Sequence, residues 1–296
     1  MYRKALIIIM AVIMTLVAAG CSQTAEHTGS QIDPSEPVKV LVSILPQADF
    51  VKSIGGEQVE VNVLIPPGAN PENYEMSPRQ IQEVSQADVY FTIGSIPFEQ
   101  ISLERIRSAN PDMPVIDTAE DREHAEGEEA HHHDPHVWLS PVLVKEQARI
   151  ICTGLSEIDP ANKEMYDKNL NTYIAELEKL DKDIKLLLAD RKRDAFLVYH
   201  PAWGYFAEDY GLHEMAVEKE GKEPTAKEMA QIIAEAKQEG VTAVIASPQH
   251  STRSAETIAK QLQGEVKMID PLPEDYIAGM REAAAVFKQV LSDQEE

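Results

Sequence analysis

After residue 37 the chain alternates between short apolar runs and longer amphipathic segments. Runs rich in Val, Ile, Leu and Ala predict buried strands. These strands are expected at Val38–Ile44, Val59–Ile65, Asp88–Ile93, Pro114–Ile116, Ala195–Tyr199, His213–Glu218, Val241–Ala246 and Val266–Ile269. Helices are expected between them, at Pro46–Ile54, Pro78–Ser85, Phe98–Ser108, Ala202–Tyr210, Thr225–Glu239, Ser254–Leu262 and Asp275–Leu291. Continuous apolar strands that alternate with helices predict parallel sheets covered on both faces, so the fold class is α/β.

One segment, residues 159–190, has a different pattern. Its apolar residues recur at steps of three and four, which predicts one amphipathic helix about 40 Å long. They are Leu170, Tyr173, Leu177, Leu180, Ile184 and Leu187. We interpret this helix as a rigid link between two α/β lobes, residues 38–158 and 191–296. A second helix is predicted just before it, because Ser140-Pro141 provides a capping residue and a first-turn proline.

The first 37 residues predict export rather than folded structure. Arg3 and Lys4 precede an apolar run that is too short to span a membrane and ends at Gly20-Cys21, so residues 1–20 read as a signal peptide. Cys21 resembles the acylated cysteine of prokaryotic lipoproteins, although it could also follow a cleaved signal by chance. Residues 21–37 are polar and predict a flexible tether. We therefore expect a domain held by a lipid anchor on the extracytoplasmic face of the cell membrane.

Composition restricts the partners of this domain. The chain has 296 residues, 43% of them hydrophobic and 26% charged, which is typical of a folded soluble protein. Its formal net charge of −23 argues against nucleic acid as a ligand, because phosphate binding needs a basic surface. The other cysteine, Cys152, has no partner for an intrachain disulfide once Cys21 is acylated. We expect a monomer.

Metal-ligand side chains follow several of the predicted strands. In open α/β sheets, ligands bind beyond the carboxyl ends of the strands. Glu72 and His136 follow two strands of the first lobe, and His200 and Asp270 follow two strands of the second. Imidazole and carboxylate groups are ligands of divalent metals such as Zn²⁺. Each residue alone has an ordinary structural explanation, but together they predict a metal site in a cleft between the lobes.

The segment 118–135 contains a second group of histidines, His124, His131, His132 and His133, among acidic residues. Such a loop could collect Zn²⁺ with low affinity, or it could be a solvated insertion without a role.

Four segments of this sequence resemble one known family. "DPHVWLSP", "PPGANPENYEMSP", "VYHPAWGYFAEDYGL" and "SPQHSTRSAETIAKQL" are similar to segments of the zinc and manganese solute-binding proteins of ABC transporters. The resemblance covers roughly residues 38–292. It implies two Rossmann-like lobes joined by one rigid helix, a metal at their interface and an ABC permease as partner. It also implies that His136, His200 and Asp270 bind the metal, together with the residue at position 72.

The sequence departs from the pattern of that family at two places. The usual histidine at position 72 is Glu72, and the usual "EPQF" has become Ser247-Pro248-Gln249-His250. Glu72 could be a ligand or could point into solvent, and His250 could replace the lost imidazole or lie in a surface loop. A carboxylate moves the preference toward Mn²⁺, whereas the His-rich loop favours Zn²⁺.

We therefore predict a receptor that captures Zn²⁺ and delivers it to a permease, and not an enzyme. A Mn²⁺ receptor, a metal-dependent surface adhesin and a zinc hydrolase are the alternatives. The sequence contains neither an HExxH nor a GxSxG motif. Four protein ligands would also leave no open position for a catalytic water.

Overall fold

The structure, a computed structural model, describes residues 36–119, 134–219 and 221–292. Within these ranges it confirms the predicted alternation of strands and helices, in two parallel sheets of four strands each. The predicted signal peptide, Cys21, most of the tether, and His124 and His131 to His133 lie outside the described residues.

The first sheet has the strand order β2-β1-β3-β4, and all neighbouring strands are parallel. Its strands are β1 (Val38–Val42), β2 (Val59–Val63), β3 (Val89–Thr92) and β4 (Val115–Asp117). The helices between them are α1 (Leu45–Gly55), α2 (Pro78–Val84) and α3 (Pro97–Ala109). Strands β1 and β3 are in the centre of the sheet, and their apolar side chains are almost fully buried.

The second sheet has the order β6-β5-β7-β8, which is the same arrangement as in the first sheet. Its strands are β5 (Ala195–Val198), β6 (His213–Ala216), β7 (Ala243–Ala246) and β8 (Glu265–Met268). The connecting helices are α6 (Gly204–Tyr210), α7 (Ala226–Gln238) and α8 (Thr252–Gln261). The two sheets therefore repeat one topology, although the sequences of the two lobes show no similarity that inspection can detect.

Three long helices connect and cover the two sheets: α4 (Pro141–Ile158), α5 (Lys163–Leu187) and α9 (Tyr276–Leu291). Helix α5 is the predicted link, and it begins after a single 3₁₀ turn, Pro160–Asn162. Its buried stripe of Tyr173, Leu177, Leu180 and Ile184 belongs to a hydrophobic core that contains residues of both sheets. A smaller core lies within the second lobe. The lobe boundaries that we infer from the sequence stay predictions.

Side chains cap several of the helices. Ser140 accepts a hydrogen bond from the Leu143 amide at the start of α4, as predicted, and Asp275 accepts one from the Ala278 amide at the start of α9. Thr225 and Glu228 form a capping box at the start of α7. Each cap satisfies an amide that the first turn of a helix leaves without a partner.

Short 3₁₀ turns such as Gly56–Gln58 were not predicted. Val137–Leu139 forms a 3₁₀ turn between the loop that ends at His136 and the start of α4. Among the described residues, no helix combines the length and the apolar composition needed to cross a membrane.

Candidate metal site

The polar residues that follow four strands meet between the two sheets. Glu72 lies in the loop after β2, His136 after β4, His200 after β5 and His250 after β7. All of them line one cavity, together with Asn70 and Gln249 and apolar residues of both lobes. Loops after parallel strands emerge at the same edge of a sheet, which explains why residues so far apart in the sequence converge.

The side chains in this cavity are close enough to share one ion. Nε2 of His200 lies 3.5 Å from Oε1 of Glu72. The potential ligand atoms of Glu72, His200 and His250 all lie within 4.8 Å of one another. The ring centroids of His136 and His200 are 5.3 Å apart, and those of His200 and His250 are 4.5 Å apart with nearly parallel planes.

His136 is oriented by Asp134, two residues before it. Oδ1 of Asp134 lies 2.7 Å from Nδ1 of His136 and also accepts a hydrogen bond from the His136 amide. Asp134 therefore organises the turn, and it also leaves Nε2 as the ring nitrogen available to a ligand. Gly204 permits this arrangement, because a Cβ at that position would lie only 2.9 Å from Oδ2 of Asp134.

Trp138 connects the two lobes beside His136. Its ring is buried, and its Nε1 donates a 2.7 Å hydrogen bond to the carbonyl of Pro271. A buried indole N–H needs such a partner, so this contact fixes the first lobe against the loop that follows β8.

His200 has a carboxylate partner of its own. Oε2 of Glu218 lies 2.9 Å from Nδ1 of His200, and both side chains are about one-tenth exposed. Glu214 holds the next residues of the loop, accepting hydrogen bonds from the amides of Ala202 and Trp203. Burial is the main reason why the pKa of Glu214 is raised to about 7.

His250 is held by uncharged partners. Its Nδ1 lies 2.9 Å from Oγ of Ser247, and its Nε2 lies 3.2 Å from Nδ2 of Asn70. Burial, and then the neighbouring His200, lower the pKa of His250 below its ordinary value. The ring is therefore neutral at pH 7, which is the form that binds metals.

The cavity that these residues share is small. Its volume is about 30 Å³, enough for a water-sized occupant. Ile96, Pro97 and Leu272 contribute to its apolar wall. A site of this size suits a single ion better than an organic ligand.

Asp270, the fourth predicted ligand, is placed differently. It is exposed, and its Oδ1 accepts hydrogen bonds of 2.9 Å from Nε2 of Gln249 and from the amide of Leu272. Among the described residues, the group of side chains whose ligand atoms lie within 4.8 Å of one another includes neither Asp270 nor His136, but His136 lines the cavity and Asp270 does not. Its role as a ligand stays a prediction.

Sequence reasoning missed the residues that orient the ligands. Glu218 and Glu214 lie on or after β6, and only the pairing of β6 with β5 brings them to the His200 loop. The change of Ser247 was visible as a departure from the family pattern, but its contact with His250 was not.

Comparisons with known proteins identify the family of the chain. A sequence model of the ZnuA family, described as the periplasmic component A of a zinc-uptake complex, matches residues 40–290. The chain is 29% identical over 290 residues to the high-affinity zinc uptake system protein ZnuA of Bacillus subtilis (strain 168), covering 92% of this chain and 90% of that protein. It is 28% identical over 317 residues to the zinc-binding lipoprotein AdcA of Streptococcus pneumoniae (strain ATCC BAA-255 / R6), covering 99% of this chain but only 62% of AdcA.

Solved structures show the same fold. A crystal structure of ZnuA superposes with a TM-score of 0.82 at 39% identity, over 87% of this chain and 100% of that chain. A ZnuA variant that lacks residues 138–173, with zinc bound, gives the same TM-score and identity over 88% of this chain. The chain therefore belongs to the ZnuA family of periplasmic zinc-uptake components.

Proposed function

We propose that this protein captures one Zn²⁺ ion outside the cell membrane and delivers it to an ABC permease. One observation carries the proposal: His136 and His200, from different sheets, line the same ion-sized cavity, each with Nδ1 held by a carboxylate. A carboxylate at Nδ1 fixes the ring and increases the basicity of Nε2, an arrangement typical of zinc-binding histidines.

The spacing of Glu72 and His200 suits zinc. In a tetrahedral site with bonds of about 2.0–2.1 Å, two ligand atoms lie roughly 3.4 Å apart. The observed separation of 3.5 Å between Oε1 of Glu72 and Nε2 of His200 is close to that value. Glu72, His136 and His200 are thus three donors of the proposed site, and either Asp270 or His250 provides the fourth.

Zinc is favoured over manganese by the donor atoms. Imidazole nitrogen suits Zn²⁺, whereas Mn²⁺ prefers sites dominated by oxygen. The relatives named above are described as zinc-uptake or zinc-binding proteins. A Mn²⁺ receptor is the alternative within the same family, and competition between the two ions distinguishes them.

The site favours a receptor over a hydrolase. A catalytic zinc needs an open position for water and room for a substrate beside it. The cavity of about 30 Å³ offers no such room. The family description also names a component of an uptake complex, not an enzyme, as the sequence predicts.

The location and the partners complete the proposal. Family members are periplasmic components of an uptake system, and we propose that acylation of Cys21 holds this protein as a monomer at the outer face of the membrane. The lipoprotein description of AdcA supports the anchor. We also propose that His124 and His131 to His133 collect Zn²⁺ at low affinity.

The test is metal analysis of the purified protein followed by titration of the stripped form. We expect one tight equivalent of Zn²⁺, bound more strongly than Mn²⁺. His136→Ala or His200→Ala should lower zinc affinity at least tenfold, or about 1.4 kcal/mol. His213→Ala, which alters an exposed histidine of β6, is the matched control. Unchanged binding by both cavity variants would refute the proposal.

A further inference from the structure

We propose that His250 is a direct metal ligand and supplies the imidazole that this chain lacks at position 72. The inference rests on the proposed function, since it assigns the fourth donor of the same site. Among the described residues, Glu72, His200 and His250 are the acidic, histidine and cysteine side chains whose ligand atoms come within 4.8 Å of one another. His136 lies outside that group but lines the same cavity, with its ring centroid 5.3 Å from that of His200, and we assign it as the remaining donor.

The hydrogen bonds of His250 leave the correct nitrogen for a metal. Oδ1 of Asn70 accepts a hydrogen bond from the Glu72 amide at 2.8 Å, so the NH₂ group of Asn70 faces the ring. That group can only donate, so Nε2 of His250 accepts and carries the lone pair. In the neutral ring, the proton is then on Nδ1 and is donated to Oγ of Ser247. A metal would take the lone pair that the Asn70 amide now contacts.

The two changes in "SPQH" therefore act together. The family pattern has a glutamate at position 247 and an aromatic ring at position 250. Here Oγ of Ser247 accepts a hydrogen bond from Nδ1 of His250. The imidazole keeps an aromatic ring at position 250, stacked on His200 with the ring centroids 4.5 Å apart. Replacement of a ring by a ring explains how an imidazole could enter the site without disturbing its packing.

The change at position 72 is complementary. The first lobe has exchanged an imidazole for the carboxylate of Glu72, and the second lobe has gained an imidazole in His250. The resulting set of three imidazoles and one carboxylate has the donor types of the usual family site, with their origins partly exchanged between the lobes. Such a set favours Zn²⁺ over Mn²⁺ because nitrogen donors predominate.

In this assignment Asp270 is a positioning residue. Its Oδ1 is already occupied by Nε2 of Gln249 and by the amide of Leu272, and both of these residues line the cavity. Asp270 then shapes the wall of the site without contacting the ion.

The experiment compares His250→Phe with Asp270→Asn. Phenylalanine keeps a ring against His200 but removes the donor, whereas asparagine keeps the acceptor oxygen for Leu272 and removes the charge. We expect His250→Phe to lower zinc affinity at least tenfold in competition with a chromophoric chelator, and Asp270→Asn to change it less than threefold. X-ray absorption of the zinc-loaded proteins should show three imidazoles in the wild type and two in His250→Phe.

The outcomes separate this inference from the proposed function. If His250→Phe binds zinc as tightly as the wild type with an unchanged imidazole count, His250 is not a ligand. If His136→Ala and His200→Ala also bind normally, the metal site itself is wrong. If both His250→Phe and Asp270→Asn lose affinity, the imidazole count decides, because only loss of a ligand lowers it. His250→Gln replaces His250→Phe if thermal unfolding of the stripped protein shows that the phenylalanine variant is unfolded.

Discussion

The four side chains around the cavity form two pairs that are held in different ways. His136 and His200 are about one-tenth exposed, and each ring is oriented by a carboxylate, Asp134 or Glu218. Glu72 is 32% exposed, and the side-chain hydrogen bonds of His250 go to the neutral groups of Ser247 and Asn70. The first pair is buried and hydrogen-bonded to carboxylates, whereas the second pair is more open and His250 is held by uncharged hydrogen-bond partners.

This difference indicates which ligands of the site can be replaced by other residues and which cannot. A buried carboxylate–imidazole pair depends on both partners, because the loss of one leaves a polar group without compensation. A half-exposed ligand with neutral partners can be replaced at less cost. The two departures from the family pattern, at positions 72 and 250, fall in the second pair, as this reasoning predicts.

The largest effects should come from the carboxylates of the first pair. Glu218→Gln and Asp134→Asn each retain a hydrogen-bonding side chain but remove the charge that orients the imidazole. We expect each to lower zinc affinity about 10- to 100-fold, measured by chelator competition. Glu208→Gln, at an exposed position of α6, is the control. Affinities within twofold of the wild type in both variants would show that the two pairs do not differ.

A smaller effect is expected from Ser247, which hydrogen-bonds to His250 of the second pair. Ser247→Ala removes the acceptor of the Nδ1 proton of His250 but leaves the ring, so we expect a loss of roughly two- to tenfold in zinc affinity, equivalent to one neutral hydrogen bond. The same change in a His250→Phe background should have no further effect, because the imidazole that Ser247 contacts is gone.

Ser251→Ala is the matched control, since Ser251 precedes α8 without a side-chain capping bond. Equal losses from Ser247→Ala in both backgrounds would mean that Ser247 acts on the protein in some way other than through His250.

The smallest effect is expected in the titration of His250 itself in metal-free protein. Burial and the nearby His200 lower the pKa of His250, so the neutral ring should persist as the pH falls below the ordinary value of about 6.5. Nitrogen-detected NMR of the imidazole should give a midpoint below that pH. A midpoint at or above 6.5 would show that burial and His200 do not outweigh the nearby carboxylates of Glu218 and Glu72, which raise the pKa of His250.

The sequence predicted most of the fold because its signals are local. Ser140, Thr225 and Asp275 each cap the helix that follows, and apolar runs mark the central strands. The predicted strand Val38–Ile44 ends instead at Val42, because Ser43 and Ile44 turn toward α1. Hydrophobicity does not distinguish the last residues of a strand from the buried turn after it.

The site was predicted less completely because its geometry depends on residues that are distant in the sequence. Glu72, His136 and His200 could be proposed from their places after strands, since this rule depends only on topology. That rule does not determine which loops contact each other. The proximity of His250 to Glu72 requires the two lobes to pack at a particular angle. The partnership of Glu218 with His200 requires β6 to pair with β5.

The most direct test of the central claim is a crystal structure of the protein with one equivalent of Zn²⁺. The account predicts the ion between the two sheets, with Nε2 of His136 and Nε2 of His200 both about 2.0–2.1 Å from it. An ion bound elsewhere, or one held by ligands of a single lobe only, would contradict the account.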